Sequence, residues 1–296
     1  MTRIFDRLGK QEFEEEVFGG AFVKSAYGKP SSLVGELVNM RAVQKGMSRL
    51  VGKLYESGMS RMMIDDFVRK YKINLAEYEV PKAGFGSFNE FFVRPFKPTA
   101  REFPAEANRL GSPAEGRLTV FPITSGAAQL SVKGVPLSIE TFVGSKVLAE
   151  QFIGGHAFVF RLCPVDYHRF HFPDAGRAGP SSRLGKELHS VNPLALERVP
   201  DVFLRNERQL CLFESENFGQ LLLMEVGAIC VGRIIQTYSA GSRVIRGQEK
   251  GYFLFGGSTV IVLGEPGRWK PSEDILANTA KKTETYVRLG DSVAHV

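Results

Sequence analysis

From Leu110 onward this chain is written in short apolar runs separated by glycine, proline and serine. The runs are Leu118–Phe121, Gln129–Val132, Ala157–Leu162, Leu210–Phe213, Leu221–Val226, Ile229–Ile235, Val260–Leu263 and Tyr286–Leu289. Short runs of this kind, closed by turn formers, build strands rather than helices. Helical periodicity is confined here to a short helix expected over residues 138–151. Residues 110–296 are therefore expected to form a β-dominated domain, with no internal repeat and no low-complexity tract.

The front of the chain follows a different period. Apolar residues recur at spacings of three and four: Leu33, Leu37, Met40 and Val43, then Met47, Leu50, Val51 and Leu54. That spacing is helical. Ser57-Gly58 interrupts it, and Ser60 is placed to cap a second helix running through Met63, Ile64, Phe67 and Val68 to Tyr71. Residues 1–75 read as a helical region and 76–109 as a connector. The fold class expected is α+β: a helical N-terminal region followed by a β-dominated domain. The connector holds an aromatic cluster, Phe85-Gly86-Ser87-Phe88-Asn89-Glu90-Phe91-Phe92-Val93-Arg94-Pro95. Ser87 is expected to cap one helical turn there, with Glu90 at the capping-box position.

Arg41, Lys45, Arg49, Lys53, Arg61, Arg69, Lys70 and Lys72 lie among the apolar positions of the N-terminal helices. Amphipathic helices of this type either pack on the protein's own core or lie in a bilayer interface over anionic headgroups. The formal charge of +6 points to anionic partners, either a phospholipid surface or nucleic acid. The basic residues are dispersed, with no recognised nucleic-acid-binding signature, which disfavours the second. Cys163, Cys211 and Cys230 show no C-x-x-C spacing and read as reduced, cytosolic thiols. The N-terminus lacks the apolar core of a signal peptide. No window offers the ~18 uninterrupted apolar residues that a spanning helix needs. The nearest, Leu221 to Ile235, contains Glu225 and Arg233. The chain is not expected to span a membrane, though it can lie on one.

Three segments hold the residues that can carry chemistry. In Phe253-Leu254-Phe255-Gly256-Gly257-Ser258-Thr259-Val260-Ile261-Val262-Leu263, two glycines let the peptide before Ser258 take backbone angles closed to other residues. A serine hydroxyl there can attack the Gly257 carbonyl, or the stretch is simply a hairpin turn. In Cys163-Pro164-Val165-Asp166-Tyr167-His168-Arg169-Phe170-His171-Phe172-Pro173, two histidines lie three apart. They read as metal ligands, as structural histidines in a polar turn, or as an acid/base pair for a distant nucleophile. H-x-x-H without a third ligand is a weak metal signal, so no metal is assigned. In Ser112-Pro113-Ala114-Glu115-Gly116-Arg117, Glu115 is either a solvated turn carboxylate or the group that orients a histidine.

Taken in order, these segments resemble the phosphatidylserine decarboxylase family. The resemblance rests on residues 85–94, 112–117, Lys133-Gly134, 166–173, Val226-Gly227-Ala228, Gly247-Gln248-Glu249-Lys250-Gly251-Tyr252-Phe253 and Phe255-Gly256-Gly257-Ser258-Thr259. It implies a proenzyme that cuts itself between Gly257 and Ser258 into a large chain (1–257) and a small chain (258–296). Ser258 would become a covalent pyruvoyl group. That group would hold phosphatidylserine as a Schiff base and serve as electron sink while CO2 leaves, giving phosphatidylethanolamine. The family pattern assigns His171 and the acidic residue, here Glu115, to a triad with Ser258, and His168 to proton transfer in decarboxylation. Glu115 departs from the usual aspartate by one methylene. The resemblance also implies a peripheral protein on the cytoplasmic face of the membrane with an anionic membrane surface as partner, and allows a homo-oligomer.

Three rival readings remain at this point. One is a pyruvoyl decarboxylase acting on another amino-containing substrate. Another is a Ser-His hydrolase that keeps Ser258 as a persistent nucleophile. The third is a cleavage-deficient, lipid-binding homologue.

Overall fold

The computed structural model describes residues 2–15, 50, 52–124, 138–185, 187, 202–227, 233–256 and 258–296. Its strands are β1 (Thr2–Asp6), β2 (Gln11–Glu15), β3 (Arg109–Gly111), β4 (Gly116–Pro122), β5 (His156–Leu162), β6 (Arg169–His171), β7 (Gly176–Leu184), β8 (Arg208–Ser215), β9 (Gly219–Gly227), β10 (Ile234–Gln236), β11 (Arg243–Val244), β12 (Glu249–Phe253), β13 (Ser258–Gly264), β14 (Lys270–Pro271), β15 (Glu284–Val287) and β16 (Ser292–His295). Ten of them form one sheet in the order β11-β7-β8-β9-β13-β5-β4-β15-β1-β2. Two three-stranded sheets accompany it, β10-β12-β6 and β14-β16-β3. The β-dominated reading of residues 110–296 matches this architecture.

The apolar run Val260–Leu263 lies at the centre. Every residue of β13 is buried. It pairs antiparallel with β9 on one side and β5 on the other, so Ser258 faces Gly227 and Leu162 across the two ladders. A strand covered on both faces has no need to alternate polar and apolar residues, which explains the continuous run. The residues after 258 are woven through the rest of the molecule. β15 sits between β4 and β1, and β16 between β14 and β3.

The N-terminal expectation needs correction. Residues 2–15 form a hairpin, not a helix, and β1 joins the large sheet by parallel pairing with β15. The alternation in Thr2-Arg3-Ile4-Phe5-Asp6 puts Ile4 inward, fully buried. The helices expected from Leu33 to Met47 lie outside the described residues. Helix reappears at residues 52–56 and, after a 3₁₀ turn at Gly58–Met63, as Ile64–Tyr71. Ser60 does not cap that helix. Its hydroxyl donates to the Ser57 carbonyl (2.7 Å) and accepts from the Phe88 amide (2.9 Å), joining the helices to the aromatic cluster.

The cap at Ser87 is as expected. Its hydroxyl accepts from the Glu90 amide at 3.1 Å, and the turn Phe88–Phe92 follows. The single helix expected over residues 138–151 is two, Ile139–Val143 and Lys146–Glu150. Gly144, at φ +74°, ends the first, and Ser145 caps the second. The runs Gln129–Val132 and the first part of Ile229–Ile235 fall outside the described residues, as does Cys230.

A buried ion pair ties the small sheet to the large one. Lys250 on β12 donates to both oxygens of Glu225 on β9, at 2.8 and 2.9 Å, and to Gln236 Oε1 on β10 at 2.9 Å. Both charged side chains are only 1% exposed. Removing one partner of such a pair strands the other charge in a dry interior. Lys250→Met is expected to cost about 3–5 kcal/mol in urea denaturation, and Lys250→Met with Glu225→Leu to regain most of it. A Lys250→Met chain that denatures at the wild-type urea concentration would contradict this.

Candidate active site

The chain leaves β12 at Phe253, crosses residues 254–257 and enters β13 at Ser258. Three amides fix that crossing. Phe253 N donates to the His168 carbonyl, Leu254 N to the Arg233 carbonyl, each at 2.9 Å, and Phe255 N to Asn89 Oδ1 at 3.0 Å. Gly256 sits at φ +148°, a conformation that only glycine adopts without strain. Gly257 lies outside the described residues.

Ser258 and His168 are both fully buried, and they meet. Ser258 Oγ is 3.0 Å from His168 Nδ1, and His168 Nε2 is 3.0 Å from the Cys163 carbonyl oxygen. A carbonyl can only accept, so Nε2 carries the hydrogen in the neutral ring. Nδ1 then presents its lone pair to the serine hydroxyl. Phe92 stacks on the imidazole with centroids 3.8 Å apart and planes 20° from parallel. Burial, with the Arg94 charge as a second cause, pushes the His168 pKa down to about 3. The ring is therefore a neutral base at physiological pH.

His171 is placed differently. It ends β6, three residues on, and in an extended strand that spacing turns a side chain to the opposite face. Its Nδ1 donates to the Gly247 carbonyl at 2.8 Å, and its Nε2 lies 3.1 Å from the Tyr167 hydroxyl. Burial lowers its pKa as well. Among the described residues it has no hydrogen bond to Ser258 or to Glu115.

Glu115 is buried at the start of β4, in a fork with Arg101. Arg101 Nε reaches Oε2 at 2.6 Å, and Nη2 reaches Oε1 at 2.9 Å. Tyr286 Oη and the Leu289 amide each donate at 3.2 Å. Glu115 lines a cavity of about 360 Å³ with Tyr78, Arg101, Arg117, Tyr167 and Tyr286. Neither Ser258 nor His168 lines it. The structure thus brings together Ser258 and His168, and leaves His171 and Glu115 bonded elsewhere. Among the described residues no group of three or more histidine, cysteine or acidic side chains is arranged to hold a metal.

The sequence reading missed the residues that surround the pair. Phe92, Asn89 and the Cys163 carbonyl all touch it, directly or through the crossing. The first two lie in the aromatic cluster, which reads on its own as a core anchor. Phe255 packs into that cluster against Tyr55, Phe88 and Phe92, with centroids 4.1, 5.4 and 4.9 Å away. The anchor and the serine are therefore one assembly.

A family model for phosphatidylserine decarboxylase matches residues 88–295. The chain belongs to the phosphatidylserine decarboxylase family. The match begins at the Phe88–Phe92 turn, runs through both histidines and Ser258, and ends in β16. Among similar curated proteins is the phosphatidylserine decarboxylase proenzyme of Ruminiclostridium cellulolyticum, 38% identical over 100% of this chain and 98% of the relative. The proenzyme of Clostridium novyi is 39% identical over 99% of each chain, and that of Clostridium perfringens 37% identical over 100% of each.

The depressed His168 pKa fixes a sign. A histidine less basic when folded than when unfolded (about 6.5) withholds stability as pH falls below that value, because the unfolded chain gains the proton. In an uncleaved Ser258→Ala chain, the His168 ring resonances are expected to stay flat from pH 8 to about 5. An inflection near pH 6.5 would mean that the ring is not held neutral.

Proposed function

We propose that this chain decarboxylates phosphatidylserine to phosphatidylethanolamine, using a pyruvoyl group made from its own Ser258. Family membership makes the chain a carboxy-lyase. The observation that carries the reading further is the hydrogen bond between Ser258 Oγ and His168 Nδ1, sealed from water, just after a glycine pair. Its relatives are named proenzymes, which fits a chain that must first be processed.

The proposed processing balances atom by atom. His168 Nδ1 takes the hydroxyl proton as Ser258 Oγ attacks the Gly257 carbonyl, and the proton passes to the departing amide nitrogen. The amide becomes an ester with a free amine at 258. β-Elimination releases the 1–257 chain with a new carboxylate and leaves dehydroalanine. Hydrolysis of that residue yields the pyruvoyl group and ammonia. The donor set suits such a group: a buried serine, a neutral imidazole beside it and, among the described residues, no carboxylate hydrogen-bonded to either. Once formed, the pyruvoyl ketone supplies the electron sink for loss of CO2 from the amino lipid.

His168 remains next to position 258 and is the residue placed to deliver a proton there in the second reaction too. In this reading the family-implied triad of Ser258, His171 and Glu115 is replaced in the uncleaved chain by the Ser258–His168 pair. His171 anchors the Gly247 turn, and Glu115 clamps Arg101 to the turn at Leu289. The large and small chains stay together because β13 and β15 each lie between strands of the other piece, and β16 pairs with β3 of the large one.

The substrate is a bilayer lipid, and among the described residues no helix is long and apolar enough to cross a membrane. Met59 and Met62 are 71% and 79% exposed, beside the exposed Leu50 and Leu54 and close in sequence to Arg61, Arg69, Lys70 and Lys72. This edge is proposed to rest on an anionic membrane surface, at the cytoplasmic face, with the methionines among the acyl chains.

Wild-type protein mixed with phosphatidylserine vesicles is expected to release CO2 and form phosphatidylethanolamine. Ser258→Ala and His168→Gln chains should stay uncleaved and lose at least about a hundredfold in activity. Met59→Ser with Met62→Ser should bind anionic vesicles about tenfold more weakly. Product formation by the Ser258→Ala chain would overturn the pyruvoyl reading, and unchanged vesicle binding by the methionine variant would remove the membrane edge.

A further inference from the structure

In the chain, Gly256 and Gly257 run between two fixed points. On the far side Ser258 opens β13, paired with Gly227 and Leu162. On the near side residue 255 is held twice. Its ring packs against Tyr55, Phe88 and Phe92. Its amide donates to Asn89 Oδ1 at 3.0 Å. An amide N–H can only donate, so the oxygen of the Asn89 side chain is the atom that faces it. The amides of Phe253 and Leu254 meet backbone carbonyls, those of His168 and Arg233. The amide nearest the glycine pair is met instead by a side chain.

Asn89 is itself rooted. It is the second residue of the turn Phe88–Phe92, whose Phe88, Phe91 and Phe92 are buried. Ser87 caps that turn through the Glu90 amide, Glu90 reaches back to the Gly86 amide, and the Phe88 amide donates to Ser60 Oγ. A side chain on so fixed a turn holds its partner in one place. Two consecutive glycines are the loosest link a chain can contain. The reaction assigned to the bond after them is demanding, because Ser258 Oγ must meet the carbonyl carbon of the residue before it at close range and in the right direction. We propose that Asn89 is a positioning residue for self-cleavage: by tying the Phe255 amide it holds the glycine pair between residue 255 and Ser258, so that the serine hydroxyl meets the Gly257 carbonyl. This rests on the reading that the chain cuts itself before Ser258, and it does not depend on which group takes the hydroxyl proton.

In that step the Gly257 carbonyl carbon gains a bond to Oγ and loses its bond to the Ser258 nitrogen, and the hydroxyl proton ends on the freed amine. The tie acts on this step. Once the chain is cut, residues 255–257 are the end of the large chain, and position 258 is held by the β13 ladders without them. Asn89 therefore bears on processing far more than on turnover. A residue that merely supported the fold would weaken both alike.

The full-length chain made by cell-free synthesis gives a pulse of uncleaved protein, whose processing can be followed by gel. Asn89→Ala is expected to cleave about tenfold more slowly than wild type, the effect of losing one such hydrogen bond from the reacting arrangement. Asn89→Asp keeps an acceptor oxygen at the same reach and should cleave within about threefold of wild type. CO2 release from phosphatidylserine vesicles, counted per pyruvoyl group from the mass of the small chain, should fall by less than about threefold in the Asn89→Ala protein that has cleaved. An Asn89→Ala chain that cleaves at the wild-type rate overturns the inference. So does an Asn89→Asp chain as slow as Asn89→Ala, or a turnover that falls as far as the cleavage rate. If Asn89→Ala does not fold by circular dichroism, replacing Phe255 by its α-hydroxy acid during synthesis removes the amide donor and leaves every side chain in place. That chain should also cleave about tenfold more slowly, and wild-type cleavage by it overturns the inference. A Ser258→Ala chain that is still cut at this bond, or a wild-type chain that is not, would instead sink the underlying reading of self-cleavage.

Discussion

The structure depends on where β13 lies. It is buried on both faces at the centre of a ten-stranded sheet, and its first residue is Ser258, to which the proposed chemistry is assigned. Its ladders to β9 and β5 run the whole length of the strand and begin at Ser258, so the serine is held from both sides by the core. The residues that follow it are threaded between strands from the earlier part of the chain. A cut just before Ser258 removes one covalent bond and leaves the ladders on either side of β13 intact.

A rigid serine is useful only beside an equally fixed base. The small sheet β10-β12-β6 carries His168 to it, and two devices hold that sheet. One is the buried Lys250–Glu225 pair, which fastens β12 to β9. The other is the aromatic wedge, in which Phe92 supports the imidazole, Asn89 holds the Phe255 amide, and Phe255 fills the remaining gap. The result is a hydroxyl and an imidazole with no contact with solvent. On the proposed function, this pair is closed to a lipid in the uncleaved chain and processing precedes substrate entry.

The β domain could be read from the sequence because its strands are short, apolar and punctuated. The same logic failed at residues 2–15, where five-residue strands carry mostly polar and charged side chains and only Ile4 is core. Ser60 looked like a cap because its position fits one; a contact with Phe88, 28 residues away, decides otherwise. Ser258, His168, His171 and Glu115 were all identifiable as candidates. Which histidine faces the serine was not, because that depends on β6 pairing with β12 and on the opposite faces of an extended strand. Glu115 likewise finds Arg101, a residue that no local pattern connects to it. The aromatic cluster was visible as an anchor, but its role as the platform for His168 exists only in three dimensions.

The most direct test of the central claim is the intact mass of purified protein under denaturing conditions. The account expects two chains divided between Gly257 and Ser258, the smaller one beginning with a pyruvoyl group and resisting Edman degradation. A single chain of 32.8 kDa carrying an unmodified serine, from protein that is otherwise folded, would contradict it.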